Sequence, residues 1–276
     1  MSNDRLSIFF SQFNQLIPVL RQNGMKESQI EEMQQGLKRK MQEIPDPTIA
    51  FIGFTGVGKS STLNALFNAG QEVSDVRACT QFAQSFTGKI EKYTGTKGSI
   101  NIYDMPGLGE SKIKDRQHYQ TYEKVLPNVD VIVWMFTASD RSMTPMQEAI
   151  ETLISRIGTG FTKHLVFVVN KADTTAPGET AWNNQFNVPS EEQKKNIEEF
   201  EKYILERVHE VLPKWKGSVI TYSAKRRYHL EQLMTAMVQA MPEKYSWVLG
   251  DRADIANYFD LIDPEYRDYI TSLLEK

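Results

Sequence analysis

Hydrophobic positions recur along the chain in two alternating rhythms. Near the start, Leu6, Phe9, Phe10, Phe13, Leu16, Ile17 and Leu20 fall at helical spacing, and Pro18 is expected to end or kink that helix. A second helix is predicted over 28 to about 42, opened by a capping box of Ser28 and Glu31. Pro45-Asp46-Pro47 then stops helix formation and sends the chain into an extended run. From there short apolar runs alternate with amphipathic stretches. Strands are predicted at 48–52, 82–93, 99–104, 129–137, 165–169 and 218–222, with Thr94-Gly95 joining the second and third. Helices are predicted at 60–68, 117–126, 144–157, 190–211 and 229–241, the third opened by a Thr144–Gln147 capping box with Pro145 at the first helical position. Strands alternating with helices of this length predict an α/β fold of three layers, a mostly parallel central sheet with helices on both faces.

The pattern divides the chain into a helical extension at 1–44, a central domain at 45–242 and a second helical extension at 243–276. In the last piece Ile255, Tyr258, Phe259 and Ile262 support a short amphipathic helix, and Asp263-Pro264 separates it from another at about 266–274. Composition narrows the class. Apolar residues make up 40% and charged residues 24%, so a disordered or fibrous chain is excluded. With 32 basic and 35 acidic residues, net −3, the overall field does not favour nucleic acid or anionic lipid. The single cysteine, Cys79, excludes an intramolecular disulfide and fits a reducing, cytoplasmic setting. The longest clean apolar run, 131–136, is far short of the ~20 residues that span a bilayer, and the start lacks the basic region of a signal peptide.

Four motifs carry chemistry. Gly53-Phe54-Thr55-Gly56-Val57-Gly58-Lys59-Ser60 fits G-x-x-x-x-G-K-[ST] between a predicted strand and a predicted helix. Glycines let backbone N–H groups turn inward around phosphate oxygens, and the helix that follows, from Ser60 and Ser61, adds its positive end. Lys59 is expected to reach the β- and γ-phosphates and the Ser60 hydroxyl to ligate Mg²⁺. Asp104-Met105-Pro106-Gly107 stands 45 residues after Lys59 at the end of a strand. There Asp104 would hold the magnesium hydration shell and the Gly107 N–H would sense the γ-phosphate. Asn170-Lys171-Ala172-Asp173 follows the next apolar strand but one, and the Asp173 carboxylate would accept the ring and exocyclic N–H groups of guanine, which adenine cannot supply. Ser223-Ala224-Lys225, after the last strand, would close the base pocket through the Ala224 N–H.

These elements, in this order and spacing, resemble the translation-factor-related GTPases. More narrowly, Ser74-Asp75-Val76-Arg77-Ala78-Cys79-Thr80 followed by Asp104-Met105-Pro106-Gly107-Leu108-Gly109-Glu110 resembles the Era-like branch and its bacterial YfjP/YeeP-type subfamily. The resemblance covers about 45–242 and implies a P-loop GTPase fold, GTP and GDP as ligands, Mg²⁺, and a nucleotide-dependent molecular switch. It also implies that Thr80 binds Mg²⁺ and the γ-phosphate in the triphosphate state. Arg77 precedes Thr80 by three positions, the offset at which Gα-type proteins supply an arginine to the transition state, and is carried as a candidate catalytic residue beside Lys59, Thr80 and Gly107.

Departures from the family sharpen these expectations. Leu108 stands where Ras-like proteins place a water-orienting glutamine, so hydrolysis is expected to be slow without a partner or dimerisation. Gly56 stands where many relatives carry an asparagine that helps to bind potassium, so potassium activation is not supported. Residues 243–276 contain no Gly-x-x-Gly and hold eight acidic against four basic residues, which argues against the RNA-binding domain of Era and against ribosome or RNA partners. A protein partner or a homodimer of the GTPase domain is expected instead. Residues 5–21 contain only Arg5 and Arg21 as basic residues, so insertion into a membrane interface is the weaker use of that Phe-rich face. A non-hydrolysing GTP-binding scaffold and a dynamin-like membrane-associated GTPase are the competing functions.

Overall fold

The computed structural model describes residues 14, 17–43, 45–67, 83–89, 99–140, 142–242 and 245. Arg77, Cys79, Thr80, the expected turn at Thr94-Gly95 and the helices expected beyond residue 250 lie outside them. The chain forms two compact units. One comprises Met1–Pro47, Lys89–Ser99 and Pro242–Lys276, the other Thr48–Gly88 and Ile100–Met241.

In the first unit, residues 17–22 are helical, so Pro18 does not end the helix. The helix runs on past Pro18 and stops at Asn23-Gly24. Gly24 there takes the left-handed conformation (φ 87°), its N–H donates to Arg21 O at 3.0 Å and Met25 N–H donates to Leu20 O at 3.0 Å, the paired bonds of a Schellman ending. Helix α1 (Glu27–Glu43) follows. It begins one residue before Ser28, so the expected capping box does not form, and Gln29 Oε1 accepts the Lys26 N–H at 3.0 Å. Leu20, Met25, Ile30 and Met33 are buried.

The second unit is built on β1 (Thr48–Gly53), β2 (Gln84–Lys89), β3 (Ser99–Asp104), β4 (Val131–Thr137), β5 (Leu165–Asn170) and β6 (Val219–Thr221), in the order β2-β3-β1-β4-β5-β6. The ladders β3-β1, β1-β4, β4-β5 and β5-β6 are parallel, with Phe51 opposite Asp104, Ile52 opposite Trp134 and Val169 opposite Thr221. Helices α2 (Lys59–Phe67), α3 (Lys112–Val125), α4 (Thr144–Ile157), α5 (Glu191–Val211) and α6 (Leu230–Gln239) supply the outer layers. Strand β4 is buried at all seven positions, as a parallel strand covered on both faces must be. Alternate strand residues such as Ala50, Ile52, Trp134 and Phe167 pack with α3, α4 and α5 through Tyr122, Leu153 and Ile204. Helix α2 meets β1, and α6 meets β5 and β6. This is the three-layer P-loop GTPase fold.

Two boundaries differ from expectation for physical reasons. Helix α3 starts at Lys112, five residues early, because Ser111 caps it by accepting the Lys114 N–H and Asp115 Oδ1 takes the Gly109 N–H at 2.9 Å. The capping box expected at α4 is absent. Met143 holds the N-cap position without a side-chain bond, and Gln147 Nε2 donates to Arg207 O and Glu210 Oε2 on α5 instead. The tertiary contact outcompetes the local one.

Candidate functional site

The motif loops leave the carboxyl ends of β1, β3, β5 and β6, the edge where parallel sheets with crossover helices open a crevice. Gly53, Gly56 and Gly58 each adopt positive φ (146°, 86° and 92°), the backbone that a phosphate-wrapping turn requires. A Cβ at Gly56 would meet open space, whereas one at Gly58 would lie 2.4 Å from Asn170 Nδ2. That close approach is productive, since Asn170 Nδ2 donates to Val57 O at 3.0 Å. Lys171 Nζ donates to Gly56 O at 2.8 Å. The two motifs are therefore tied to each other, although more than a hundred residues separate them.

On the phosphate side, Ser60 Oγ lies 3.1 Å from Asp104 Oδ2. Lys59 Nζ rests over Gly53 O and Phe54 O at 3.4 and 3.3 Å. Burial pushes the Asp104 carboxyl above its ordinary range, partly offset by the Lys59 ammonium and the Ser60 hydroxyl. Burial likewise pushes Lys59 down, opposed by Asp104 and then Glu110. Hard oxygen donors from Ser60 and Asp104 side by side suit Mg²⁺, which needs few protein ligands when phosphate supplies others. Not every amide of the loop is free. Thr55 N–H donates to Leu108 O at 2.8 Å and Leu108 N–H to Gly53 O at 3.1 Å, so Leu108 clasps the loop with its backbone while its side chain is buried. The position where a glutamine would orient water is thus a core residue.

On the base side, Asp173 is buried, with Oδ1 accepting from Ser223 Oγ at 2.5 Å and Oδ2 left without a partner. A buried carboxylate oxygen with no donor is costly unless a ligand supplies one. It borders a cleft of ≈ 820 Å³ that Gly58, Ser61, Asn170, Lys171 and Lys225 also line. The Ala224 N–H, expected to reach the base, donates to Asn170 Oδ1 at 3.1 Å, an oxygen that also accepts the Lys171 N–H at 2.7 Å. Lys225 pairs with Glu179 at 2.6 Å at the rim.

The residues that support these loops carry no motif. Gln193, in the first turn of α5, is buried and its Nε2 donates to Asp173 O, Thr175 O and Gly178 O at 3.3, 3.1 and 3.1 Å. The one sequence signal for it is the capping box Ser190-Glu191-Glu192-Gln193, which does form. Trp182 is buried in the loop after β5, edge-on to Tyr228 with ring centroids 5.3 Å apart, and its Nε1 donates to Asn187 Oδ1. Among the described residues, the non-glycine residues with positive φ, Lys171, Asn187, Arg227 and His229, all lie in these base-side loops, where such strain is held by surrounding contacts.

Residues 48–171 match the family described as "50S ribosome-binding GTPase". The chain is 32% identical over 203 residues to protein YfjP of Escherichia coli strain K12, an alignment covering 73% of this chain and 64% of YfjP, so the chain spans less than two thirds of that relative. Among solved structures it is similar to Aquifex aeolicus Era bound to GDP and tetrafluoroaluminate, with TM-score 0.50, 21% identity, 72% of this chain and 58% of that one covered. It is also similar to the LeoA bacterial dynamin GTPase from ETEC, with TM-score 0.53 and 11% identity, covering 100% of this chain and 49% of that one. At those identities the two structures share the fold.

Proposed function

We propose that the chain is an Era-like P-loop GTPase that binds GTP and GDP with Mg²⁺, hydrolyses GTP to GDP and phosphate, and acts as a nucleotide-dependent switch, a reading supported by the family match over residues 48–171 and the 32% identity to YfjP. The observation that carries the reading is the convergence on one cleft of a phosphate loop and a base-recognition loop, hydrogen-bonded to each other, with the half-satisfied Asp173 carboxylate among the lining residues. In this reading Gly53, Thr55, Gly56, Val57, Gly58, Lys59, Ser60 and Ser61 hold the phosphates, while Asn170, Lys171, Asp173, Ser223, Ala224 and Lys225 hold guanine. Ser60 and Asp104, with Thr80, hold Mg²⁺, which when bound supplies charge neutralisation at the β- and γ-phosphates. Lys59 neutralises charge on the transferred phosphoryl group, and Arg77 is the candidate for a second positive charge.

The buried Leu108 side chain cannot orient water, so turnover is slow alone, on the order of the 10⁻⁴ s⁻¹ of unassisted Ras, and rises with a protein partner or a second copy. Residues 45–242 form the GTPase domain in this proposal, with 1–44 and 243–276 as helical extensions that couple nucleotide state to the partner. The setting proposed is cytoplasmic. Among the described residues no helix is long and apolar enough to cross a membrane. Hydrolysis of GTP and ATP, measured over a series of protein concentrations with and without lipid vesicles, tests the reading. Mg²⁺-dependent release of phosphate from GTP alone supports it, and failure to bind any guanine nucleotide would overturn it.

A further inference from the structure

Tyr122 lies in the third turn of α3, away from every motif, and is completely buried. Its hydroxyl donates to Pro106 O at 2.7 Å. One neutral group from α3 therefore holds a backbone carbonyl of the Asp104-Met105-Pro106-Gly107 loop. Burial pushes the Tyr122 hydroxyl far up, so it stays protonated and a donor throughout the working pH range.

The bond to Pro106 bears on the next residue. The Pro106–Gly107 peptide is planar and trans, so fixing its C=O fixes the Gly107 N–H on the opposite side of the same plane. That N–H has no hydrogen-bond partner among the described residues. Gly107 also abuts the phosphate loop closely enough that a Cβ would lie 2.6 Å from Thr55 Oγ1, so its backbone, with no side chain between, faces the phosphate-binding turn.

We infer that Tyr122 is a positioning residue for the terminal phosphate: its hydroxyl locks the Pro106–Gly107 peptide plane so that the unspent Gly107 N–H is available to a γ-phosphate oxygen. The inference rests on the GTPase reading and adds to it a residue that distinguishes triphosphate from diphosphate. Tyr222 provides the comparison. It is equally buried, and its hydroxyl bonds Thr62 Oγ1 at 2.7 Å, which in turn donates to Gly58 O at 2.9 Å, so it supports the phosphate loop at Gly58 and not through Pro106.

Binding of GDP and of guanosine 5′-(β,γ-imido)triphosphate, measured by calorimetry on the full chain as wild type, Tyr122→Phe and Tyr222→Phe, tests the inference. Tyr122→Phe should weaken the triphosphate analogue about tenfold, the worth of one hydrogen bond, and GDP by less than about twofold. Tyr222→Phe should shift both ligands alike. In the wild-type protein, hydrogen exchange at the Gly107 amide should be slower with the analogue than with GDP, a readout that stands even where Tyr122→Phe does not fold. An unchanged triphosphate-to-diphosphate ratio in Tyr122→Phe, the same ratio shift in Tyr222→Phe, or equal Gly107 exchange with both ligands overturns the inference. A wild-type protein that binds neither nucleotide overturns the GTPase reading itself.

Discussion

Asp173 is buried and Asp104 half-buried, and their surroundings give them different work. Asp173 Oδ1 is held by Ser223 while Oδ2 is buried without a partner, in a residue that lines the cleft, so the carboxylate is half unsatisfied. Asp173→Asn replaces one acceptor with a donor that opposes the guanine N–H groups. It should cost GTP roughly 10⁴-fold in affinity and shift preference toward xanthosine triphosphate, read by competition binding; unchanged GTP preference would refute the base assignment. Asp104 is a matter of proton linkage. Its folded-state pKa is raised, first by burial, so the folded protein holds that proton more tightly than the unfolded chain does. The associated stability is present at acid pH and is lost as pH rises through the raised value. A magnesium ion at Ser60 and Asp104 must displace the same proton. Apparent Mg²⁺ affinity with GDP bound should therefore start to fall, by up to about tenfold per pH unit, at a pH above the ordinary aspartate range. Magnesium titrations across a pH series check this, and Asp104→Asn should flatten the profile.

At the scale of elements, the start of α5 and the phosphate loop decide how rigidly the cleft is held. Gln193 shares the two N–H groups of Nε2 among three carbonyls of the base-side loop from a fully buried position. Gln193→Ala leaves those acceptors buried without donors and should destabilise the protein by about 1–3 kcal/mol in chemical denaturation. It should weaken GTP and GDP equally, because it touches the base side alone. Glycines of the phosphate loop separate conformational cost from space. Gly56→Ala meets open space at φ 86° and should cost about 1 kcal/mol with nucleotide binding retained. Gly58→Ala adds a 2.4 Å clash with Asn170 to a comparable φ, so it should break the tie between the two loops and abolish nucleotide binding. Thermal melts with and without GDP distinguish the two.

For the whole molecule, the proposal that residues 45–242 are the GTPase domain predicts that this fragment binds GDP within about threefold of the full chain, measured by calorimetry. A ligand that binds only the folded state at 100 times its Kd adds about 2.7 kcal/mol of stability, so the fragment's melting temperature should rise with GDP and Mg²⁺. Loss of binding in a folded fragment would show that the flanking helices complete the site.

How much of this was legible before folding follows from how local each signal is. The six strands and five α-helices described in the second unit were readable from hydrophobic rhythm, to within a few residues at most ends, because covering a parallel sheet on both faces forces apolar runs such as that of β4. The phosphate loop, Asp104 and the Asn170–Asp173 motif were readable because contacts with one ligand fix residue types at fixed spacing. What the sequence could not reveal are choices made between distant segments. Gln147 leaves its own helix cap for α5, Gln193 reaches back to the base loop, Leu108 turns into the core while its backbone clasps Thr55, and Tyr122 reaches Pro106. Each is one polar group choosing among several partners of nearly equal worth, and only the packed tertiary structure, which brings one partner within 3 Å and excludes water from the rest, decides the outcome.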